Sequence, residues 1–561
     1  MDTRRLIIFI VLSFGLVLLW EKYYAPAPVT PTPIVQTTVT NSTTVSTSGT
    51  GGVVDNSMSQ EQGKLIDVKT DLLDVKIDTM GGDIRQVSLL KYTNAESSGQ
   101  VYDLLNDQPN NMYIAQSGLI NTDSSQGIVL PTHKTLYTAD KYDYALNGDI
   151  LTVDMHYLAN GIDVVKTFTF TRDSYIINVG YQVKNTTAAA LTGLSAYFRL
   201  LRDELPPAGE AKMVHTFTGP VYYTTDAKFN KVTFSDLDKG SVSYPHNVKD
   251  GWIGFSQHYF TSDWLMSSYA SGDVCATAGY SCSLDLKTVD NGSLASAGVV
   301  LGIPSIASNS SVSFAMPLFV GPQSYVATTT AAAGLELTKD YGWVYIFSTP
   351  LFWGLIKLHQ LFNHFGLFYA WGFAIIALTM LLKMLLYPLT RASYLSMAKM
   401  RLMTPKIKQI QEQYKGDKAR TQQEMMAMYK KEKINPIGGC LPMLLQIPVF
   451  LGLYWALLSS VELRQAHFFW IPDLSQSDPY YILPVILTIA TYIQTTLNPP
   501  ATDPMQAKMM KIMPLAFSVM FFFFPAGLVL YWLVNNVLTM AQQYYVNTHI
   551  VPKKHKHLHN K

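Results

Sequence analysis

The stretch LTMLLKMLLYPLT, residues 378–390, is almost wholly apolar, yet Lys383 lies inside it. An ammonium group is costly in hydrocarbon, so a charged residue within a membrane segment is a candidate functional group. Of the 561 residues in the chain, 48% are hydrophobic and 15% charged, whereas soluble domains carry about 25% charged residues. The composition therefore indicates a membrane protein, and the net charge of +2 says little about its partners.

The apolar segments predict six transmembrane helices, one at the N-terminus and five in the C-terminal half. The five are 365–387, 440–461, 480–497, 511–524 and 526–545. Loop 388–435 holds eleven Lys and Arg residues and is predicted inside, whereas loop 462–479 has only Arg464 and is predicted outside. A multi-pass membrane protein with both termini in the cytoplasm fits this distribution of charges.

The N-terminal half divides by composition. Residues 1–24 are interpreted as a signal peptide or a short anchor, and Pro28 after the candidate cleavage site favours an uncleaved anchor. Period-2 alternation between residues 61 and 335, with turn signals such as Gly81-Gly82 between the runs, predicts a large antiparallel β-sandwich. The positive-inside rule predicts that this domain lies outside the cytoplasm. Cys275 and Cys282 are close enough in sequence for a disulfide in an exported domain, but their spacing leaves the pairing open.

The predicted organisation has eight parts. They are an N-terminal transmembrane anchor (1–24), a flexible linker (25–60), the periplasmic β domain (61–335), an amphipathic or interfacial helical connector (336–364), transmembrane helix 2 (365–390), a cytoplasmic helical hairpin (391–435), transmembrane helices 3 to 6 (436–545) and a basic cytoplasmic tail (546–561).

Polar residues on several predicted spans bear on Lys383. Thr379 lies one turn before it, and none of the five C-terminal spans contains Asp or Glu, so the lysine has no counter-ion at depth. Candidate polar groups on the other spans are Gln446, Ser518, Tyr531 and Asn535. Together they favour a hydrated groove open to the cytoplasm over the alternative, a lysine that extends its side chain to the headgroups.

Two predicted spans are short. The sequence Phe-Pro-Ala-Gly at 524–527 predicts a sharp turn after the second of them. Residues 481–496 and 509–524 each form 16 residues, about 24 Å at 1.5 Å per residue, against a hydrocarbon core of about 30 Å. Such spans thin the surrounding bilayer, unless neighbouring helices shelter them as tilted helices.

The predicted hairpin consists of two helices with a break near residues 415–417, Lys-Gly-Asp. It carries methionines on both arms: Met397, Met400 and Met403 on the first, and Met425 and Met426 on the second. Methionine-rich surfaces adapt to many apolar partners, which suggests a protein-handling role. The alternatives are that these methionines seal the hairpin, or that its basic face binds anionic lipid.

Four long motifs stand out in the C-terminal half. They are YPLTRASYLSMAKMRLMTPKI, QEMMAMYKKEKINPIGGCLPMLLQIPVFLGLYWAL, SSVELRQAHFFWIPDLS and FPAGLVLYWLVNN. These motifs resemble the YidC family of membrane protein insertases in its Gram-negative form, which implies a location in the bacterial inner membrane. GWIGFSQHYFTSDW, at 251–264, adds a weaker match. The resemblance implies a five-helix insertase core with a cytoplasm-facing groove, a periplasmic β-supersandwich and a mobile cytoplasmic hairpin.

The resemblance also implies a function that is not enzymatic: the insertion and chaperoning of inner-membrane proteins, alone or with the Sec translocon. It further implies that the cytoplasmic loops and the basic tail contact the ribosome. The implied partners are nascent membrane proteins and the lipid bilayer, with no DNA, nucleotide, metal or other cofactor. Trp532 follows Tyr531 where relatives often carry an aromatic pair facing the substrate path. Lys383 stands where the family usually has an arginine. The lysine keeps the positive charge but lacks the planar guanidinium group with its five N–H donors.

Other classes of protein fit the sequence less well. No zinc, Walker or GxSxG motif supports an enzyme. A solute transporter normally has a carboxylate at depth, and here there is none. A structural assembly factor, whose spans only anchor the β domain, stays open because composition does not separate it from an insertase.

Overall fold

The computed structural model describes residues 63–94, 99–109, 111–123, 128–205, 216–270, 272–339, 341, 344–431, 441–497 and 504–550. The predicted anchor (1–24), the predicted linker (25–60) and residues 551–561 of the predicted tail lie outside the described residues.

The first half of the described chain is built from strands. In chain order they are β1 (Leu65–Lys69), β2 (Leu73–Asp78), β3 (Asp83–Thr93), β4 (Val101–Gln108), β5 (Asn111–Asn121), β6 (Thr138–Ala139), β7 (Asp143–Ala145), β8 (Ile150–Ala159), β9 (Ile162–Thr171), β10 (Ile176–Asn185), β11 (Leu194–Asp203), β12 (Gly219–Thr224), β13 (Lys228–Lys231), β14 (Trp252–Ser256), β15 (Phe260–Leu265), β16 (Ser267–Ser268), β17 (Gly272–Asp273), β18 (Ser281–Val289), β19 (Leu294–Gly302) and β20 (Ser311–Pro322).

These strands form two large sheets. One has the order β18-β19-β11-β5-β4-β3-β2-β1-β7, and the other has the order β13-β12-β14-β15-β20-β10-β9-β8-β6. The strand pairs are antiparallel apart from β1 with β7, which run parallel. The predicted antiparallel β-sandwich is therefore confirmed, with one parallel pair at a sheet edge. Cys275 and Cys282 form a disulfide, with their Cα atoms 5.4 Å apart.

Alternating burial on β9 explains both the strand and one buried charge. Every second side chain faces the core, so Lys166 lies on the same face as Val164 and Phe168. Its Nζ donates to the carbonyl oxygens of Gly81 and Gly82, each at 2.8 Å. Both glycines have positive φ, as the predicted turn there requires. A buried cation thus holds a tight turn on the opposite sheet.

The two sheets meet over an aromatic core. Phe198 on β11 is fully buried, and its ring centroid lies 5.2 Å from that of Trp264 on β15 and 6.0 Å from that of Tyr181 on β10. Deleting this ring leaves a cavity between the sheets, because close-packed interiors relax only partly.

Replacing Phe198 with alanine is expected to lower the free energy of unfolding by about 3–5 kcal/mol. Urea unfolding of the full chain in detergent, followed by intrinsic fluorescence, measures the change. Leu158→Ala is the control, because Leu158 is 75% exposed and its removal is expected to change stability by less than about 0.5 kcal/mol. Equal effects of the two substitutions would contradict the assigned core.

Asp263, beside Trp264 on β15, makes the stability of the sandwich depend on pH. Burial raises the pKa of Asp263 from 3.8 to about 8, although the hydroxyl of Thr261, which donates to Oδ2 at 2.6 Å, lowers it. Between pH 4 and 8 the folded protein therefore binds more protons at this site than the unfolded chain does. Its contribution to stability is lost as the pH rises through that window.

Asp263→Asn is accordingly expected to flatten the pH profile of stability by up to about 1.4 kcal/mol per pH unit between pH 4 and 8. The measurement is the urea midpoint at several pH values. Asp149→Asn, at a side chain that is 93% exposed, is expected to follow the wild-type profile. A profile for Asp263→Asn that matches wild type would show that the buried carboxyl does not titrate in this range.

Helices form the rest of the described chain. They are α1 (Phe234–Asp238), α2 (Tyr325–Ala331), α3 (Tyr345–His364), α4 (Ala370–Leu385), α5 (Tyr387–Leu402), α6 (Thr404–Gln413), α7 (Lys418–Lys431), α8 (Leu441–Leu458), α9 (Ile482–Leu497), α10 (Pro504–Ser518) and α11 (Ala526–Tyr545).

The helices α3, α4, α8, α9 and α11 share one hydrophobic core. Within it α4 packs against α3 and α11, α8 against α3, and α9 against α11. α10 ends in a short 3₁₀ turn, Val519–Phe522, and α11 begins after Pro525, which gives the sharp turn predicted at 524–527. Among the described residues, no helix is both long enough and apolar enough to be recognised as a membrane span, so the count of six spans is not confirmed.

The predicted cytoplasmic hairpin is broken where expected, but its first arm is not one helix. α6 and α7 flank a turn that includes Gly416 at φ +107°. Upstream, the arm is interrupted at Met403, and α5 begins already at Tyr387. Pro405 lies in the first turn of α6, where its missing N–H is tolerated, and this favours a new helix start at that point.

Candidate functional site

Lys383 lies near the C-terminal end of α4 and faces α11. It is 8% exposed, whereas the next two residues, Met384 and Leu385, are 70% and 74% exposed. Its Nζ donates to Oγ1 of Thr539 at 2.8 Å, and that hydroxyl donates to the carbonyl oxygen of Asn535 at 2.7 Å. The ammonium group thus points into the helix bundle rather than away from it.

A cavity of about 320 Å³ adjoins Lys383 between α4 and α11. Its lining residues are Met380, Lys383, Met384, Tyr387, Leu538 and Gln542. Among the described residues no carboxylate forms an ion pair with Lys383. Oε1 of Gln542 is buried and accepts no hydrogen bond from a described residue. The cavity therefore combines a cation, an acceptor and apolar walls.

Gln446 on α8 and Tyr531 on α11 form a second polar contact. Nε2 of Gln446 donates to the hydroxyl of Tyr531 at 2.6 Å, and Tyr531 is 2% exposed. Tyr531, Asn535, Thr539 and Gln542 recur at spacings of four, four and three, so they lie along one face of α11. This polar face of α11 contacts α8 through Tyr531 and α4 through Thr539.

Three other predicted groove residues lie apart from this face. The Thr379 hydroxyl donates to the carbonyl of Ile375, and the Ser518 hydroxyl to those of Pro514 and Leu515, so both are satisfied within their own helices. Trp532 is half-buried and packs on Phe450 and Phe521, with centroid distances of 4.5 and 5.2 Å. A role for these three residues in a groove stays a prediction.

The structure describes the side chains of three of the five predicted hairpin methionines. Met403 and Met425 pack around Ile407 and Tyr429, which are 4% and 8% exposed, and so help to join α6 to α7. Met426 is 42% exposed. The side chains of Met397 and Met400 lie outside the described residues. Met403 and Met425 thus pack between the two arms of the hairpin, which is one of the predicted alternatives. The side chain of Met426 is exposed to solvent.

Sequence reasoning missed two polar residues that join helices. Nδ2 of Asn536, which is 5% exposed, donates to Oγ1 of Thr491 on α9 at 3.1 Å. Nε2 of Gln543 donates to the carbonyl of Leu497 at 3.2 Å. The signal was present as the paired residues Asn535-Asn536 and Gln542-Gln543, which place amides on two neighbouring faces of α11.

The described chain joins two parts. A helix bundle with a buried cation and a polar face on α11 is connected to a large β-sandwich. Within the described ranges, no group of three or more His, Cys, Asp and Glu side chains is arranged to hold a metal ion.

Two family models match the chain. Residues 65–354 match the model described as the YidC periplasmic domain, and residues 361–554 match the model described as the 60Kd inner membrane protein. A membrane protein insertase YidC from Laribacter hongkongensis is 49% identical over 554 residues, which cover 98% of each chain. The insertase YidC from Nitrosospira multiformis is 44% identical, with 97% of each chain covered.

The chain belongs to the YidC family of membrane protein insertases. Its location is accordingly the bacterial inner membrane, its substrates are nascent membrane proteins, and it is not an enzyme. A crystal structure of an active YidC insertase with its first transmembrane domain resolved is similar with a TM-score of 0.38 and 18% identity, covering 87% of this chain and 93% of that one.

Proposed function

We propose that the chain inserts and folds inner-membrane proteins through a hydrophilic groove that opens to the cytoplasm and is centred on Lys383. The observation that carries the proposal is the burial of an ammonium group that has a hydroxyl partner on α11 but no ion-pair partner among the described residues. A cation without a fixed counter-ion retains attraction for an arriving anionic group, which a preformed ion pair would have cancelled.

The groove acts by lowering the cost of moving a polar segment partway across the membrane. At an effective dielectric constant of about 20, a charge pair at 4 Å is worth about 4 kcal/mol, which favours entry without preventing release. The free acceptor of Gln542 and the cavity beside Lys383 provide polar contacts and space for that segment. The exposed apolar side chains of Met384 and Leu385 provide a surface for the hydrophobic part of the substrate.

The proposed topology has six membrane spans with both termini in the cytoplasm. The helices α9 and α10 have 16 and 15 residues, about 24 and 22 Å at 1.5 Å per residue, which is shorter than the hydrocarbon core of about 30 Å. A bilayer thinned around them shortens the path of a translocated segment. In this proposed topology the groove opens next to the basic segment 388–435.

The proposed partners lie on the cytoplasmic side and within the membrane. The basic helices of the hairpin and the basic tail supply positive charge for the ribosome. The exposed Met426 offers an adaptable apolar contact for a nascent chain. The Sec translocon is the proposed partner for substrates with larger domains, and folding of inserted helices is the proposed chaperone role.

Reconstitution into liposomes tests the proposed function. A short single-spanning substrate with an acidic translocated tail is offered to liposomes with or without the purified full chain, and protease protection of the tail measures insertion. Protection that requires the protein supports an insertase that works alone. Equal protection in protein-free liposomes, or none in either, would instead favour the assembly-factor alternative, in which the helices only anchor the β domain.

A further inference from the structure

The segment 458–465, which begins at the last residue of α8, lies between the β-sandwich and the helix bundle. Its two buried apolar residues face in opposite directions: Val461 joins the hydrophobic core of the sandwich, and Leu463 joins that of the helices. Each is 1% exposed. A single short segment thus contributes one side chain to each of the two hydrophobic cores.

Arg464 attaches this segment to the β domain. Its guanidinium lies 5.2, 5.7 and 5.5 Å from the ring centroids of Tyr102, Tyr259 and Phe260. Nη2 donates to the carbonyl of Thr93, at the end of β3, at 2.6 Å. A guanidinium suits such a cage, because it stacks on aromatic faces while its edge donates hydrogen bonds.

Glu462 attaches the same segment to a different element. Its Oε2 accepts from Nζ of Lys339 at 2.9 Å, and its Oε1 accepts from the backbone N–H of Tyr325 at 3.1 Å. Nζ of Lys339 also lies 3.5 Å from the ring centroid of Phe352 on α3. The side chains of Lys339 and Glu462 are 5% and 16% exposed, so this ion pair is largely shielded from solvent.

The β domain also caps the end of α8. Nε2 of His258, in the turn between β14 and β15, lies 3.0 Å from the carbonyl oxygen of Leu458, the last residue of α8. The last carbonyls of a helix lack partners within the helix, so a donor from another domain satisfies one of them. The stretches GWIGFSQHYFTSDW and SSVELRQAHFFWIPDLS, which the groove does not use, meet at this junction.

We infer that residues 458–465 are a latch that fixes the β-sandwich to the helical core and holds α8 in position through Arg464 and Glu462. α8 carries Gln446, which contacts the polar face of α11, so an unlatched α8 disturbs the groove. This last step rests on the proposed function; the mechanical coupling of the two domains does not. Arg464 and Glu462 are thus positioning residues.

The distance between the domains tests the latch. Spin labels at Gln182→Cys, on the sandwich, and Ser477→Cys, in the helical part, report it by pulsed electron paramagnetic resonance on the full chain in nanodiscs, with Cys440→Ser as background. Arg464→Ala combined with Glu462→Gln is expected to replace one narrow distance distribution with a broad one. Arg464→Lys, which keeps the charge but loses the planar stack, is expected to fall between.

Arg172→Ala is the matched control, because Arg172 is an arginine of the β domain that donates to the carbonyl of Gly148 and pairs with Asp149. A distribution that stays narrow in the double variant would overturn the latch. The double variant is also expected to lower liposome insertion by about threefold to tenfold. A broadened distribution with wild-type insertion would overturn the link to the groove, whereas a wild-type protein that fails to insert would refute the proposed function and leave the distance result standing.

Discussion

Insertion of a substrate with an acidic translocated tail is expected to fall by about tenfold or more when Lys383 is replaced with alanine, because each 1.4 kcal/mol of lost attraction is a factor of ten. The buried ammonium group is the only cation that lines the described cavity, so its loss removes the charge that favours entry. Protease protection in proteoliposomes measures the effect, with equal amounts of reconstituted protein.

Two variants separate the charge from other properties of the residue. Lys383→Arg keeps the charge and is expected to retain insertion. Lys357→Ala removes an exposed lysine on α3, whose nearest polar partner is Gln360 at 3.4 Å, and is expected to behave as wild type. If Lys383→Ala inserts this substrate as well as wild type does, the charge is not part of the path and the groove mechanism must be dropped.

Gly372→Ala is expected to destabilise the helix bundle by about 1–3 kcal/mol and to impair insertion, although alanine is the better helix former. A Cβ at Gly372 would overlap the ring of Phe468, which is 6% exposed and packed edge-on against Tyr369 and Phe373. Since Lys383 lies eleven residues further along α4, any shift that relieves the overlap also moves the ammonium group.

Gly354→Ala on α3 is the matched control for this effect. A Cβ there would meet only Cδ1 of Leu378 at 3.4 Å, so alanine fits and is expected to stabilise the protein by up to about 1 kcal/mol. Thermal unfolding in detergent compares the two variants. If both substitutions raise the unfolding temperature, the close approach of α4 to Phe468 does not exist in the folded protein.

The sequence was sufficient for features that depend on local pattern. Period-2 alternation predicted the sandwich, and the turn signal at Gly81-Gly82 was confirmed by their positive φ. The isolated Lys383 was found because a charge within an apolar run is visible without any tertiary knowledge. The break in the hairpin at 415–417 is likewise a local signal, because the helix-forming residues are interrupted around Gly416.

Features that depend on contacts between distant residues were not accessible from the sequence. Arg464 was interpreted only as a loop charge, because its cage comes from residues more than 200 positions earlier in the chain. Thr379 and Ser518 were assigned to the groove from their polarity, yet each hydroxyl bonds a carbonyl of its own helix. Such back-bonding satisfies a hydroxyl without any partner from another helix, and spacing does not reveal it.

Site-specific photocrosslinking tests the central claim most directly, since it asks where a substrate lies. A photoreactive residue at Leu538 or Gln542 reports the cavity beside Lys383, and one at Ile489, a 55% exposed position on α9, reports the outside of the bundle. With a ribosome-bound nascent chain that carries the acidic segment, crosslinks are predicted at Leu538 and Gln542 and not at Ile489. Crosslinks confined to Ile489, or equal at all three positions, would contradict a groove centred on Lys383.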